Sequence, residues 1–222
     1  MTHYPLSIDF PDAIFWDWDG TLADSYSFLN DAHNHTLTTL GFEPFKQDEY
    51  KQYFGKPREI LYPAIYKEKC DEAMEVFQRY VFDNSHKVQT IEDTQSVLEF
   101  FKTKDILMGV VTNKKGTFVS RELEHTKYDQ YFSVLVGAGE AENDKPSAAP
   151  LNLALDKSGL STDTHTIWYV GDTENDLACA KDAGCPALFL KGEENTDELI
   201  RKYEPLISFD NYAQLREFLV AI

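Results

Sequence analysis

The chain is short of cysteine and of positive charge and has no long apolar run, and each shortage closes off a class of protein. Three cysteines in 222 residues, Cys70, Cys179 and Cys185, show neither CxxC spacing nor an even-numbered framework. A disulfide scaffold or thiolate metal site is therefore not expected, and the three read as buried thiols in a reducing compartment. No run approaches a membrane span, and the opening MTHYPLSIDFPD lacks a basic n-region and a long apolar stretch. Neither a membrane segment nor a secretory signal is expected, and a cytoplasmic location is the default. Lysine and arginine number 21 against 38 acidic residues, a formal net charge of −17. Such a surface repels nucleic acid and anionic lipid, so neither is an expected partner. Pro- or Gly-rich tracts and internal repeats are also missing. With 42% apolar and 14% aromatic residues, the chain should fold as one substantial core or as a core carrying a smaller insert, in a monomer or homodimer.

What is present is a regular alternation. Apolar runs at 13–17, 107–112, 132–136, 167–170, 187–190 and 206–209 are separated by helical patterns at 94–102, 116–125, 148–158, 174–183 and 211–220. That alternation predicts an α/β fold, a doubly wound and mainly parallel, Rossmann-like sheet covered by helices on both faces. The interval 24–90 breaks the pattern with helical periodicity and no buried strand. It predicts a small all-helical cap inserted into a core made of residues 1–23 and 91–222. Asp24 and Ser25 are expected to cap its first helix, which Gly41 ends. Apolar-periodic stretches at 60–66 and 71–82 supply two more helices.

Directly after the first run stands DWDGTLADS, Asp17 to Ser25. Five specified positions of D-x-D-G-T-L at about 5% usage each would arise by chance in a chain this long on the order of once in ten thousand sequences. In extended chain, residues i and i+2 project to one side, so Asp17 and Asp19 face a common point while Trp18 turns away into packing. Three further segments fall at the C-terminal ends of strands, the edge where open α/β sheets hold ligands. Thr112-Asn113 offers a hydroxyl and backbone N–H groups to phosphate oxygens. Lys145 in NDKPS is a cation able to neutralise a phosphoryl group. GDTEND brings Asp172 and Asp176.

These residues suit phosphoryl transfer. Asp17 attacks phosphorus while Asp19 protonates the leaving oxygen, and Asp19 then takes a proton from the water that hydrolyses the aspartyl phosphate. A carboxylate approaching a phosphate dianion needs a counter-charge. Asp17, Asp172 and the backbone carbonyl of Asp19 are hard oxygen donors of the kind Mg²⁺ takes, and no His or Cys is placed for zinc.

In order and spacing, DWDGTLADS, VVTN, the lysine of DKPSAAP and GDTENDLACAKDAG resemble the four motifs of the haloacid dehalogenase superfamily. The helical insert is similar to the cap of its phosphoglycolate-phosphatase-like branch. The resemblance covers essentially the whole chain. Within it, GKPREIL (Gly55, Pro57, Leu61) looks like the cap loop of that branch. The resemblance implies a phosphatase with Asp17 as nucleophile and Asp19 as acid and base, Thr112 and Lys145 on the phosphate, and Asp17, Asp19 and Asp172 as Mg²⁺ ligands. Asp176 matches the last acidic position, as a ligand or as a support for one. Two departures stand out: Ala148 replaces a proline usual in the third motif, and Trp18 is bulkier than the residue usual between the aspartates.

Other residues read more plainly. Asp12, Asp24 and Asp163 are expected to be caps or solvated charges, and His33 and His35 to be solvated on a helix surface. The run Glu193–Glu198 should be a solvated helix start. Arg58, beside the cap loop, is the candidate for a second anionic group of the substrate. The expected substrate is a small phosphorylated metabolite. The alternatives are a sugar phosphomutase of the same fold and a non-catalytic phosphometabolite-binding protein. Dehalogenation is less expected, because it needs neither the second aspartate nor a metal.

Overall fold

The computed structural model describes residues 8–54, 56, 58–192 and 196–222. Gly55 and Pro57 of the cap-loop motif and Glu193, Glu194 and Asn195 of the acidic run lie outside the described residues. The chain divides into two compact units, one made of residues 1–23 and 90–222 and the other of residues 24–89.

In the larger unit, six strands form one sheet: β1 (Ala13–Trp16), β4 (Leu107–Val111), β5 (Val134–Val136), β6 (Ile167–Gly171), β7 (Ala187–Leu190) and β8 (Ile207–Phe209). Two further strands, β2 (Ala23–Asp24) and β3 (Gln89–Thr90), pair as a ribbon where the chain passes from one unit to the other. The sheet order is β5-β4-β1-β6-β7-β8, with every pairing parallel. Chain order runs outward from β1 through β4 to β5, then returns to the other side of β1 for β6, β7 and β8. The winding therefore reverses between β1 and β6, which makes the crevice at their C-terminal ends the ligand site of such a sheet. β1 is central and fully buried, which is why it reads as an unbroken apolar run.

Side chains alternate across the sheet. Ala13, Phe15, Ile167 and Tyr169 pack with Leu151, Ala154 and Leu155 of α6 (Ala149–Ser158) and with Cys179 and Ala180 of α7 (Glu174–Asp182). Trp16 and Trp168 face the other way. Trp16 meets Phe101 of α4 (Thr94–Lys102), and Tyr212 and Phe218 of α9 (Tyr212–Ala221) meet Trp16 and Trp168. The strand and helix expectations for this unit hold to within about two residues. Helices α5 (Gly116–Thr126) and α8 (Thr196–Tyr203) complete it. Cys179 and Cys185 are buried as expected, with burial pushing both thiols up to about 12. Cys70 departs from that expectation: it is only half-buried, at the start of a helix in the smaller unit.

The smaller unit is built on α1 (Tyr26–Thr39), α2 (Arg58–Tyr66) and α3 (Cys70–Asn84). Leu37, Leu61, Tyr62, Ile65, Tyr66 and Ala73 form its core. Two expectations fail here. Ser25 occupies the N-cap position of α1 but makes no capping bond, because it is in helical backbone with its buried Oγ unpartnered. His33 is not solvated: it is 3% exposed, Nδ1 lies 2.6 Å from the Tyr66 hydroxyl, and its ring sits 4.5 Å from that of Phe77 and 5.0 Å from that of Tyr50. Burial lowers its pKa to about 3, so it is a neutral core imidazole. His35 is exposed and lies beside the Tyr80 ring. Among the described residues, no helix is long and apolar enough to cross a membrane.

Candidate active site

The two strands that flank the switch point each deliver an aspartate one residue past their ends. Asp17 follows β1, its amide still donating to Val170 of β6 at 2.9 Å, and Asp172 follows β6. The loop after Asp17 turns back at once: Leu22 and Ala23 amides both donate to the Trp18 carbonyl, at 2.9 and 2.8 Å. Gly20 makes that turn possible. Its φ is +82°, and a Cβ there would lie 2.4 Å from Asp172 Oδ2. Thr21 Oγ1 donates to Asp172 Oδ1 at 2.9 Å, and the Tyr212 hydroxyl holds the Thr21 carbonyl at 2.6 Å.

Lys145 is the hub. Its buried Nζ lies 2.6 Å from Asp17 Oδ1, 2.6 Å from Asp176 Oδ1, 3.0 Å from the Tyr169 hydroxyl and 3.2 Å from the Val111 carbonyl. Burial would strip the proton from a lone ammonium, but Asp17 and Asp176 reverse that and raise its pKa, so the charge is fixed. Asp17 feels the opposite balance. Burial raises its carboxyl to about 6 against the pull of Lys145, with the Asp176 charge adding to the rise. Asp172 is pushed up by burial and then by Asp176 and Asp17.

Asp17, Asp172 and Asp176 each bring a carboxylate oxygen within 4.8 Å of the others. This crowding of hard, mutually repelling donors, Asp17 and Asp176 buried and Asp172 half-buried, fits a divalent cation, and the missing side chain at Gly20 keeps the space beside Asp172 clear. Asp176 is the most occupied of the three. Oδ2 accepts from the Thr173 amide at 3.0 Å and the Thr173 hydroxyl at 2.6 Å, which caps α7, while Oδ1 serves Lys145 and Tyr169. Gly171 permits this packing, since a Cβ there would lie 2.2 Å from that of Asp176.

Thr112, buried one residue past β4, accepts from the Lys114 amide through Oγ1 at 3.2 Å. The Asn113 side chain is committed to the main chain of Lys145, so what it can offer a phosphate is its backbone N–H. Asp19 lies away from the carboxylate cluster, with Lys114 Nζ 3.0 Å from its Oδ1. Arg58 belongs to the smaller unit, at the start of α2 and 5.8 Å from the Tyr62 ring centre.

Sequence reasoning missed three participants. Tyr169 sits inside an apolar strand run, where a tyrosine reads as core. Lys114 and Glu122 drew no reading from the sequence, yet both side chains are buried, with Nζ of one 2.7 and 2.8 Å from the carboxylate oxygens of the other. The β1–β6 register sets Tyr169 opposite Phe15 and so on the face of Asp17, a match that counting along β6 alone does not give.

Comparison with known proteins agrees with this geometry. Residues 14–190 match the family described as haloacid dehalogenase-like hydrolase. A phosphoglycolate phosphatase of Photorhabdus laumondii is 27% identical, over 91% of this chain and 90% of its own length. A pyrophosphatase of Bacillus velezensis is also 27% identical, over 87% and 89%. A haloacid dehalogenase-like family protein from Streptococcus pneumoniae has the same fold, with a TM-score of 0.81 at 20% identity over 93% of this chain and 97% of that one.

Proposed function

The chain belongs to the haloacid dehalogenase-like hydrolases, and within that family we propose a Mg²⁺-dependent phosphatase that hydrolyses a small phosphate monoester through an aspartyl phosphate on Asp17. The reading is carried by one observation. At the switch point of the sheet, a buried Lys145 ammonium bridges the Asp17 and Asp176 carboxylates at 2.6 Å each, which supports Asp17 as a fixed, charge-compensated carboxylate.

Asp17 and Asp172, with the Asp19 carbonyl, would hold the metal, and Asp176 supports Lys145 rather than ligating. Bound Mg²⁺ supplies positive charge that offsets the carboxylates and the phosphoryl group. Lys145 fixes one Asp17 oxygen, which orients the other for attack on phosphorus. Thr112 and the Asn113 backbone N–H hold phosphoryl oxygens as they gain charge. Asp19, outside the cluster and one-fifth exposed, gives its proton to the leaving oxygen and recovers one from the attacking water.

Relatives named for phosphoglycolate and for pyrophosphate point to a small, highly charged substrate. Phosphoglycolate is the first monoester to assay. Asp17→Asn should abolish turnover of both p-nitrophenyl phosphate and phosphoglycolate while the circular dichroism spectrum stays that of the wild type. Retained turnover would remove Asp17 as nucleophile.

A further inference from the structure

Trp18, between the two aspartates, is fully buried and donates its indole N–H to Glu122 Oε2 at 2.6 Å. Glu122, on α5, is equally buried and grips Lys114 Nζ through both oxygens. Lys114, its side chain 8% exposed, donates to Asp19 Oδ1 at 3.0 Å. These four side chains form one chain of charge-assisted hydrogen bonds, running from the core to the carboxylate read as acid and base.

The arrangement is specific in what it constrains. A lysine ammonium is ordinarily a mobile point charge on a flexible stem. Here Glu122 Oε2 accepts one N–H at 2.8 Å while Oε1 adds an ion pair at 2.7 Å, and the Trp18 indole holds that same Oε2. Lys114 also donates to Oδ1 of Asp19 at 3.0 Å. With Oδ1 tied to Lys114, the carboxylate is held against rotation and Oδ2 is left for proton transfer. A phenylalanine or leucine at position 18 would fill space but donate nothing.

We propose that Trp18, Glu122 and Lys114 are positioning residues that fix the Asp19 carboxylate for proton transfer without touching the substrate. The proposal rests on the phosphatase reading above. In the first step the Asp17 oxygen–phosphorus bond forms and the ester P–O bond breaks, its electron pair staying on the leaving oxygen, which takes the Asp19 proton. In the second, water attacks phosphorus, its proton passes to Asp19, and the bond to Asp17 breaks to release phosphate. The sum is ester plus water giving alcohol plus phosphate, with Asp19 restored.

The two steps make the role separable from simple stability. A p-nitrophenolate leaves without needing a proton, whereas an alkoxide does not. Since kcat/KM reports the first irreversible step, losing the Asp19 position should spare kcat/KM for the aryl ester and lower it for an alkyl ester. Trp18→Phe removes only the N–H and nearly conserves volume; Glu122→Gln removes the charge at constant size. Each is assayed with Mg²⁺ on p-nitrophenyl phosphate and on the best alkyl phosphate from a metabolite panel that includes phosphoglycolate. Thermal melts confirm folding, and Trp18→Phe decides if Glu122→Gln does not fold.

The expected result is a loss of tenfold or more in kcat/KM on the alkyl ester and less than threefold on the aryl ester. On the aryl ester kcat should also fall, because the second step still needs Asp19. Lys114→Arg should recover part of the alkyl activity that Lys114→Gln loses. Equal losses on both esters, or none on either, would overturn the positioning role. The phosphatase reading would still stand if Asp19→Asn kept the selective alkyl loss. If the wild type hydrolyses neither ester, or Asp17→Asn stays active, it is that underlying reading that fails.

Discussion

Asn113 and Lys145 hold each other by their main and side chains: Asn113 Nδ2 donates to the Lys145 carbonyl at 2.9 Å, and the Lys145 amide donates to Asn113 Oδ1 at 2.9 Å. An amide side chain at the end of one strand thereby sets the place of the lysine that serves another.

Asn113→Ala should act through that lysine. Two hydrogen bonds are lost, costing about 1–3 kcal/mol in all, which urea unfolding will read. The kcat should fall tenfold or more as Lys145 drifts from Asp17, with KM changing less than threefold. A raised KM with kcat intact would instead assign the Asn113 side chain to the phosphate.

Divalent metal should stabilise the larger unit. Burial raises Asp17 to about 6 and pushes Asp172 up as well. A carboxyl whose folded pKa exceeds its unfolded value favours folding below the unfolded pKa and loses that contribution as pH rises to the folded one. At pH 7 the ionised Asp17 carboxylate is thus a burden that a cation relieves. Mg²⁺ at a hundred times its Kd should add about 2.7 kcal/mol, a rise of about 5–10 °C in Tm. EDTA should abolish the rise. Asp17→Asn in EDTA should melt no lower than the wild type, and its Tm should respond less to Mg²⁺.

The helical unit should show the reverse pH dependence. His33 is held neutral with its pKa lowered to about 3 from 6.5, so its contribution is complete above pH 6.5 and is lost as pH falls toward 3. The unfolded chain binds the proton throughout that window, which weakens the unit by about 1.4 kcal/mol per pH unit. The protection factors of the α1 and α3 amides, taken against the intrinsic exchange rate at each pH, should fall about tenfold per pH unit on acidification, and His33→Phe should flatten the response. All three tryptophans, Trp16, Trp18 and Trp168, lie in the larger unit, so their emission should not report this change.

Arg58→Ala tests recognition by the helical unit. Across a panel of phosphorylated metabolites, kcat/KM should fall at least tenfold for substrates with a second anionic group, and less than threefold for p-nitrophenyl phosphate. A uniform effect would remove Arg58 from recognition.

The sheet was legible because buried parallel strands leave continuous apolar runs, and because the aspartates, Thr112 and Lys145 stand at the ends of such runs or loops. Lys114 and Glu122 were missed for one physical reason. Trp18 meets Glu122 across 104 positions and Lys114 meets Asp19 across 95. A charge buried by a distant partner looks in sequence like a charge bathed in water. His33 did leave a trace, since Phe28, Ala32, His33, Thr36 and Leu37 form the inward stripe of α1. Polarity alone made it look solvated.

The position of β1 has a consequence for the growing polypeptide. Ala13–Trp16 pairs with residues 107–110 on one side and 167–170 on the other, so the first core strand to be synthesised is among the last to acquire both neighbours. Asp17 is made well before its ion-pair partner, and it has no Lys145 ammonium beside it until residue 145 is made. Its second acidic companion arrives only with Asp172. A half-synthesised chain therefore carries Asp17 without the lysine and the aspartate that surround it in the fold, and the site is assembled only once closure of the central strand becomes possible.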